Sequence, residues 1–115
     1  LDQRACEGRA TSLVTIHSFT KIYKGREREV ELGILFDRDA RIADRLIKAF
    51  PKVDVRLNEP YGPKDGVLHT LNLHAAPRGL KSVMIEIRND FIANERGQNE
   101  WAQRLAMPLI HAITK

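Results

Sequence analysis

The 115-residue sequence contains a single cysteine, Cys6, so no disulfide can form within the chain. A lone thiol fits a reducing compartment, and a cytoplasmic location is expected. Long apolar runs are missing as well. No stretch approaches the roughly 18 residues that a membrane helix needs, and no charged leader precedes an apolar segment, so a soluble protein without a membrane partner is expected. The glycine-flanked serine elbow, the phosphate-binding loop, the Gly-x-Gly-x-x-Gly turn and His-Glu-x-x-His are all absent. Serine hydrolase, nucleotide hydrolase and classical dinucleotide-binding readings lose support accordingly. His69 and His74 do not have the i, i+4 spacing that puts two ligands on one helical face, and His111 is placed to meet a helix carboxyl terminus and solvent.

The basic balance, a formal charge of +4 with pI near 9.5, is scattered rather than gathered. Acids interrupt it in Arg26-Glu27-Arg28-Glu29 and in Asp37-Arg38-Asp39, and no basic stripe studded with aromatics suits a nucleic-acid strand. The charge is better matched to small anionic substrates, and no nucleic-acid partner is expected. With 43% hydrophobic and 30% charged residues, the chain has the composition of a packed globule, and its length is that of one domain over residues 1–115.

Residues 1–12 show no sustained period and read as a tail or the end of an upstream element. Leu13-Val14-Thr15-Ile16-His17-Ser18-Phe19 has a strand pattern, residues 20–29 read as a polar loop containing Gly25, and residues 30–36 as a second strand. Asp37 or Asp39 can cap a helix whose apolar face is Ile42, Leu46, Ile47 and Phe50, stopped by Pro51. Val53, Val55 and Leu57 alternate as in an edge or half-covered strand, followed by the stiff turn Asn58-Glu59-Pro60-Tyr61-Gly62-Pro63. A short helix from Asp65 or Gly66 through Leu68, Leu71 and Ala75, ended by Pro77 and Gly79, leads to a strand over residues 82–88. Asn94 is placed to cap a last helix with the stripe Trp101, Leu105, Leu109 and Ala112, which Pro108 can kink. Alternating strands and helices predict an α/β fold with a mostly parallel or mixed sheet flanked by helices.

Two strands carry the candidate chemistry. His17 lies near a strand's carboxyl end, where ligands gather in open α/β sheets; a metal ligand, a general base and a hydrogen-bonded structural group are all compatible with that position. In Val83-Met84-Ile85-Glu86-Ile87-Arg88, Glu86 shares a face with Met84 and Arg88, and an unpaired carboxylate inside an apolar run is expensive to desolvate. An ion pair with a nearby cation is the plain structural alternative. His17, Glu86 and Arg88 can meet only if their strands share a sheet.

The ordered set Ser12-Leu13-Val14-Thr15-Ile16-His17-Ser18-Phe19-Thr20, Asn58-Glu59-Pro60-Tyr61, His74 with Arg78-Gly79-Leu80, and Met84-Ile85-Glu86-Ile87-Arg88-Asn89-Asp90 resembles the N-formylglutamate amidohydrolases. The likeness runs from about residue 12 to residue 106. It implies a zinc-dependent hydrolase related in fold to the aspartoacylase and zinc carboxypeptidase group, a three-layer α/β/α sandwich around the sheet, of which this chain would be the carboxyl-terminal portion. In that family two histidines and a glutamate hold Zn2+ and leave a position open to water. By the resemblance, His17 matches the later histidine ligand, Glu86 the general base and Arg88 a grip on the substrate carboxylate, with Asn58 and Tyr61 adding hydrogen bonds. The earlier histidine and glutamate ligands belong to a segment that precedes anything matched here. The chain departs from the pattern at Lys21, where relatives often have proline, and at Glu29-Val30 in place of Pro-Trp, both in a loop.

The implied reaction is hydrolysis of N-formyl-L-glutamate to formate and L-glutamate, a step of histidine degradation, and the implied partner is a small acidic N-acyl amino acid. A deacylase for another N-acyl amino acid, or a non-catalytic ligand-binding fragment of the same fold, are the competing readings. An uncovered apolar sheet edge or face, open to self-association, is a further expectation.

Overall fold

The computed structural model describes residues 1–114. Its centre is a four-stranded sheet built from β1 (Ser12–Phe19), β4 (Leu32–Leu35), β5 (Val55–Leu57) and β6 (Lys81–Arg88), in the order β1-β6-β4-β5. β1 runs parallel to β6, β6 antiparallel to β4, and β4 parallel to β5, so the sheet is mixed. β6 is buried along nearly its whole length because it lies inside the sheet and is covered on both faces. That position explains its near-continuous apolar run.

Helices pack on each side. On one face, Val83, Ile85 and Ile87 of β6 and Leu32 and Ile34 of β4 meet Ile42, Ala43 and Leu46 of α2 (Arg41–Leu46) and Trp101, Leu105 and Ala112 of α3 (Glu95–Ile113). On the other, Met84 and Leu35 meet Leu68 and Leu71, with Leu13, Tyr61 and Val67 at the margin. The alternation of side chains along β6 thus divides two cores, and the three-layer α/β/α arrangement follows.

α3 starts where the sequence indicates: the Asn94 side chain accepts a hydrogen bond from Gly97 N at 2.9 Å. Its far end is closed by cations, as Arg45 donates to the Ala112 carbonyl at 2.9 Å and Lys81 to that of Ile113 at 2.8 Å. The helix is continuous through Pro108. Trp101 is buried against Phe91, with ring centroids 5.7 Å apart. Trp101→Ala should cost about 3–5 kcal/mol in urea unfolding, the usual range for removing a buried large aromatic side chain.

Three segments differ from the sequence reading. Residues 2–6 form a short exposed helix, α1 (Asp2–Cys6), held to the body by an Asp2–Arg78 ion pair at 2.8 Å. Residues 20–29 are not a plain loop but contain a hairpin of β2 (Ile22–Tyr23) and β3 (Arg26–Glu27), turned at Lys24 and Gly25, both with positive φ. Such a turn suits the strand twist, but its two-residue arms are too short to show a period. Between β5 and β6 the expected regular helix is replaced by a 3-10 turn at Pro63–Asp65, a wide π turn at Leu71–Ala75 and a 3-10 turn at Ala76–Arg78, ended by Gly79 with φ 66°. β5 lies at one edge of the sheet as expected, and β1 lies at the other with Ile16 56% exposed.

Candidate active site

Because β1 and β6 are parallel, residues paired in register project to the same face. His17 is paired with Glu86, Thr15 with Met84 and Phe19 with Arg88. The imidazole and the carboxylate predicted to converge therefore sit side by side toward the carboxyl ends of two neighbouring strands. His17 is exposed, whereas Glu86 is only 4% exposed.

On its other side Glu86 is paired with Gly33 of β4. A Cβ at Gly33 would collide with the carbonyl oxygen of Glu59, so the missing side chain is what lets the turn after β5 lie down on the sheet. That turn is locked by Asn58, which has φ 53° and donates its backbone N–H to the Ile34 carbonyl while its side-chain oxygen accepts from Phe36 N, both at 2.9 Å. Asn58 is thus occupied with the backbone of β4 and its flank. The Glu59-Pro60 peptide is cis, and Tyr61 follows against the Leu35, Leu68 and Met84 cluster.

Burial dominates the chemistry of Glu86, raising its carboxyl to about 7 against the opposing field of Arg28. Its Oε2 has no hydrogen-bond partner among the described residues, and neither does the buried Thr15 Oγ1 on the same face of β1. Buried polar atoms are seldom left so, and both lie on the β1–β6 face that carries His17. A carboxyl poised near neutrality can take and return a proton at working pH.

Arg88 is differently placed from the role the resemblance implied. Its Nε and one terminal nitrogen bind Asp90 at 2.7 and 3.1 Å, the other donates to the Arg28 carbonyl at 2.8 Å, and the guanidinium stacks on Phe91. Asp90 raises the Arg88 pKa and is itself held below the usual carboxylate range by Arg88. With its charge paired to Asp90 and each of its three nitrogens engaged, Arg88 braces the end of β6.

Sequence reasoning passed over Arg28, whose guanidinium donates to the Tyr61 hydroxyl at 3.0 Å and the Thr20 carbonyl at 3.2 Å. It lies over Tyr23, Tyr61 and Phe19, with ring centroids 4.5, 5.1 and 5.6 Å away. Its aromatic neighbours come from separate segments of the chain, so no local pattern marks it. The cavity lined by Asp37, Asp39, Arg41 and Asp44 lies away from this group, against Ser82 near the start of β6, and there Arg41 is paired with Asp39 at 2.7 Å.

The described residues fit a metal centre only in part. His17 offers an imidazole and Glu86 a partnerless oxygen beside it, but no three His, Cys, Asp or Glu side chains among the described residues come together to hold an ion. No described helix is long and apolar enough to cross a membrane.

The family model described as N-formylglutamate amidohydrolase matches residues 1–93. Among solved structures, the crystal structure of gene product Atu2144 from Agrobacterium tumefaciens is similar, with 52% identity and a TM-score of 0.94. The likeness covers 98% of this chain and 46% of that one, so the present chain spans about half the length of the protein it matches. Comparison with curated proteins gives no significant match.

Proposed function

Given that the chain belongs to the N-formylglutamate amidohydrolase family, we propose that it carries the general base and one metal ligand of an enzyme hydrolysing N-formyl-L-glutamate to formate and L-glutamate. The observation that carries this reading is Glu86: a buried carboxyl with a partnerless oxygen, poised at about 7, next to an exposed imidazole on the adjoining strand. Glu86 accepts a proton from the attacking water and returns it to the leaving amine, a task that calls for a pKa near the working pH.

His17 would supply one ligand to zinc, with the other donors lying outside the residues described. Zinc, when bound, would acidify water and polarise the formyl carbonyl. The chain's own part is to hold Glu86 dry between β1 and β4, so that the carboxyl keeps its raised pKa, and to present Tyr61 and Arg28 beside it. Arg88 serves this arrangement by fixing the backbone of Arg28 through its carbonyl. A soluble, cytoplasmic enzyme acting on a small acidic N-acyl amino acid is the accompanying reading.

The test separates two roles. In the protein that also carries the donors lying outside the described residues, Glu86→Gln should lower formate release by a factor of about 100 to 10,000, the usual contribution of a positioned acid-base group, while leaving zinc content unchanged. His17→Ala should lower both. Undiminished turnover by Glu86→Gln, measured beside atomic absorption for zinc, would remove the carboxyl from the reaction.

A further inference from the structure

We infer that the cavity at the far end of β6 from Glu86 is a second binding site, one that takes a zwitterionic amino acid with an apolar side chain. Its volume is about 490 Å³, within the range of small-molecule sites. It lies where β4 leaves the sheet and β6 enters it, beside the first turn of α2 and the turns that precede β6. On that face of β6 the side chains run Ser82, Met84, Glu86, and Met84 packs with Leu35, Leu68 and Leu71. A plug of core thus parts this cavity from His17 and Glu86, so a ligand held here does not touch them.

Ser82 is the residue that points to a ligand. Of the buried polar residues, Arg88 is fully bonded and Glu86 belongs to the candidate active site, which leaves Ser82, 8% exposed. It lines the cavity, and its hydroxyl meets no hydrogen-bond partner among the described residues. A nearly buried hydroxyl is ordinarily bonded, and a polar group in the cavity would complete it. The backbone agrees: Leu71 and Asn72, which also line the cavity, belong to the π turn, a rare widening that recurs at functional sites.

The charges around the opening give the ligand's chemistry. Asp39 is closed by Arg41 at 2.9 and 2.7 Å, and Arg41 also reaches the Gly79 carbonyl at 3.4 Å. Asp37 receives only the neutral Asn72 amide, at 3.2 Å. These bonds tie the loop after β4 to the turns before β6 without cancelling the charge of Asp37. Arg38 and Asp44 form no side-chain ion pair among the described residues. The cavity therefore offers two carboxylates to an ammonium and one guanidinium to a carboxylate, over an apolar wall of Leu71, Ala76 and Leu80. No three ligating side chains gather among the described residues, so a bare metal ion lacks a coordination set there. An amino acid carries both charges one carbon apart, as Asp37 and Arg38 are adjacent in the chain.

Titration of L-leucine into the 115-residue chain, followed by backbone amide NMR shifts, tests the site. Shifts should centre on residues 37–44 and 71–82, leave residues 16–18 unmoved, and saturate with a dissociation constant of about 1 mM, in keeping with exposed charge contacts. N-acetyl-L-leucine lacks the ammonium and L-leucinamide the carboxylate, and each should bind about 10-fold more weakly. Arg38→Gln should weaken L-leucine by the same factor and L-leucinamide not at all. Asp44→Asn, which leaves Asp37 in place, should weaken L-leucine several-fold and N-acetyl-L-leucine not at all, and Ser82→Ala should weaken L-leucine several-fold. Arg38 and Asp44 are exposed, so neither substitution threatens the fold. Equal binding of the three compounds by the unmodified chain, a result that needs no variant, would overturn the assignment. So would the lack of a saturable shift, or shifts centred on residues 16–18 and 86.

Discussion

Glu86→Gln should change the pH dependence of stability by about 3 kcal/mol. Burial raises the Glu86 carboxyl from 4.5 to about 7 in the folded protein, so the folded state holds its proton where the unfolded state has lost it. Below pH 4.5 both states are protonated and the contribution is fully present. Between 4.5 and 7 stability falls by about 1.4 kcal/mol per pH unit, and above 7 the loss levels off. A glutamine cannot ionise, so this decline is absent from the variant. Comparing the two proteins at pH 4 and again at pH 8, by urea unfolding, cancels the amide's own packing effect and every other titrating group. The carboxylates lowered by arginine partners, Asp39, Asp54 and Asp90, act in the opposite sense and at lower pH. Their contributions are present above the ordinary aspartate pKa and vanish as acid protonates them. A variant that keeps the parent's decline between pH 4.5 and 8 would show that Glu86 is not held in a dry environment.

Gly33→Ala should be the more damaging change to the fold, at about 3 kcal/mol. One methyl group is small, but its place is already taken by the Glu59 carbonyl, which belongs to a turn fastened to β4 by both hydrogen bonds of Asn58. Neither side can yield cheaply. Overpacking of this kind costs 1–3 kcal/mol and sometimes more, and here it involves backbone instead of a flexible side chain. The turn must lift, carrying Tyr61 away from Arg28. A variant as stable as the parent would mean that the turn is not seated on the sheet as described.

The parts of this fold visible in the sequence are those with a long enough period or a specific cap. β1, β6 and α3 each show many residues of one pattern, and Asn94 marks its helix start through a single side chain. The hairpin at Ile22–Glu27 was invisible because each arm has only two residues, and the π turn at Leu71–Ala75 widens a helix without altering its composition. His17 and Glu86 stand out in the sequence because each interrupts an apolar strand, and the pairing of β1 with β6 sets them side by side. Arg28 does not, since its aromatic neighbours come from three separate segments. The engagement of Arg88 is hidden in the sequence for the converse reason: its partner Asp90 is only two residues away, and the pair closes on itself in the fold.

The pairing of β1 with β6 also governs when the site can come into being. His17 and Glu86 arrive from distant parts of the chain and become neighbours only after β4, β5 and the turns between them have been enclosed. Non-local closure of that kind is slow, because the chain loses freedom before the contacts reward it. No early folding species and no nascent chain lacking residue 86 can contain both groups. Burial of Glu86 therefore reports that β6 has taken its place between β1 and β4.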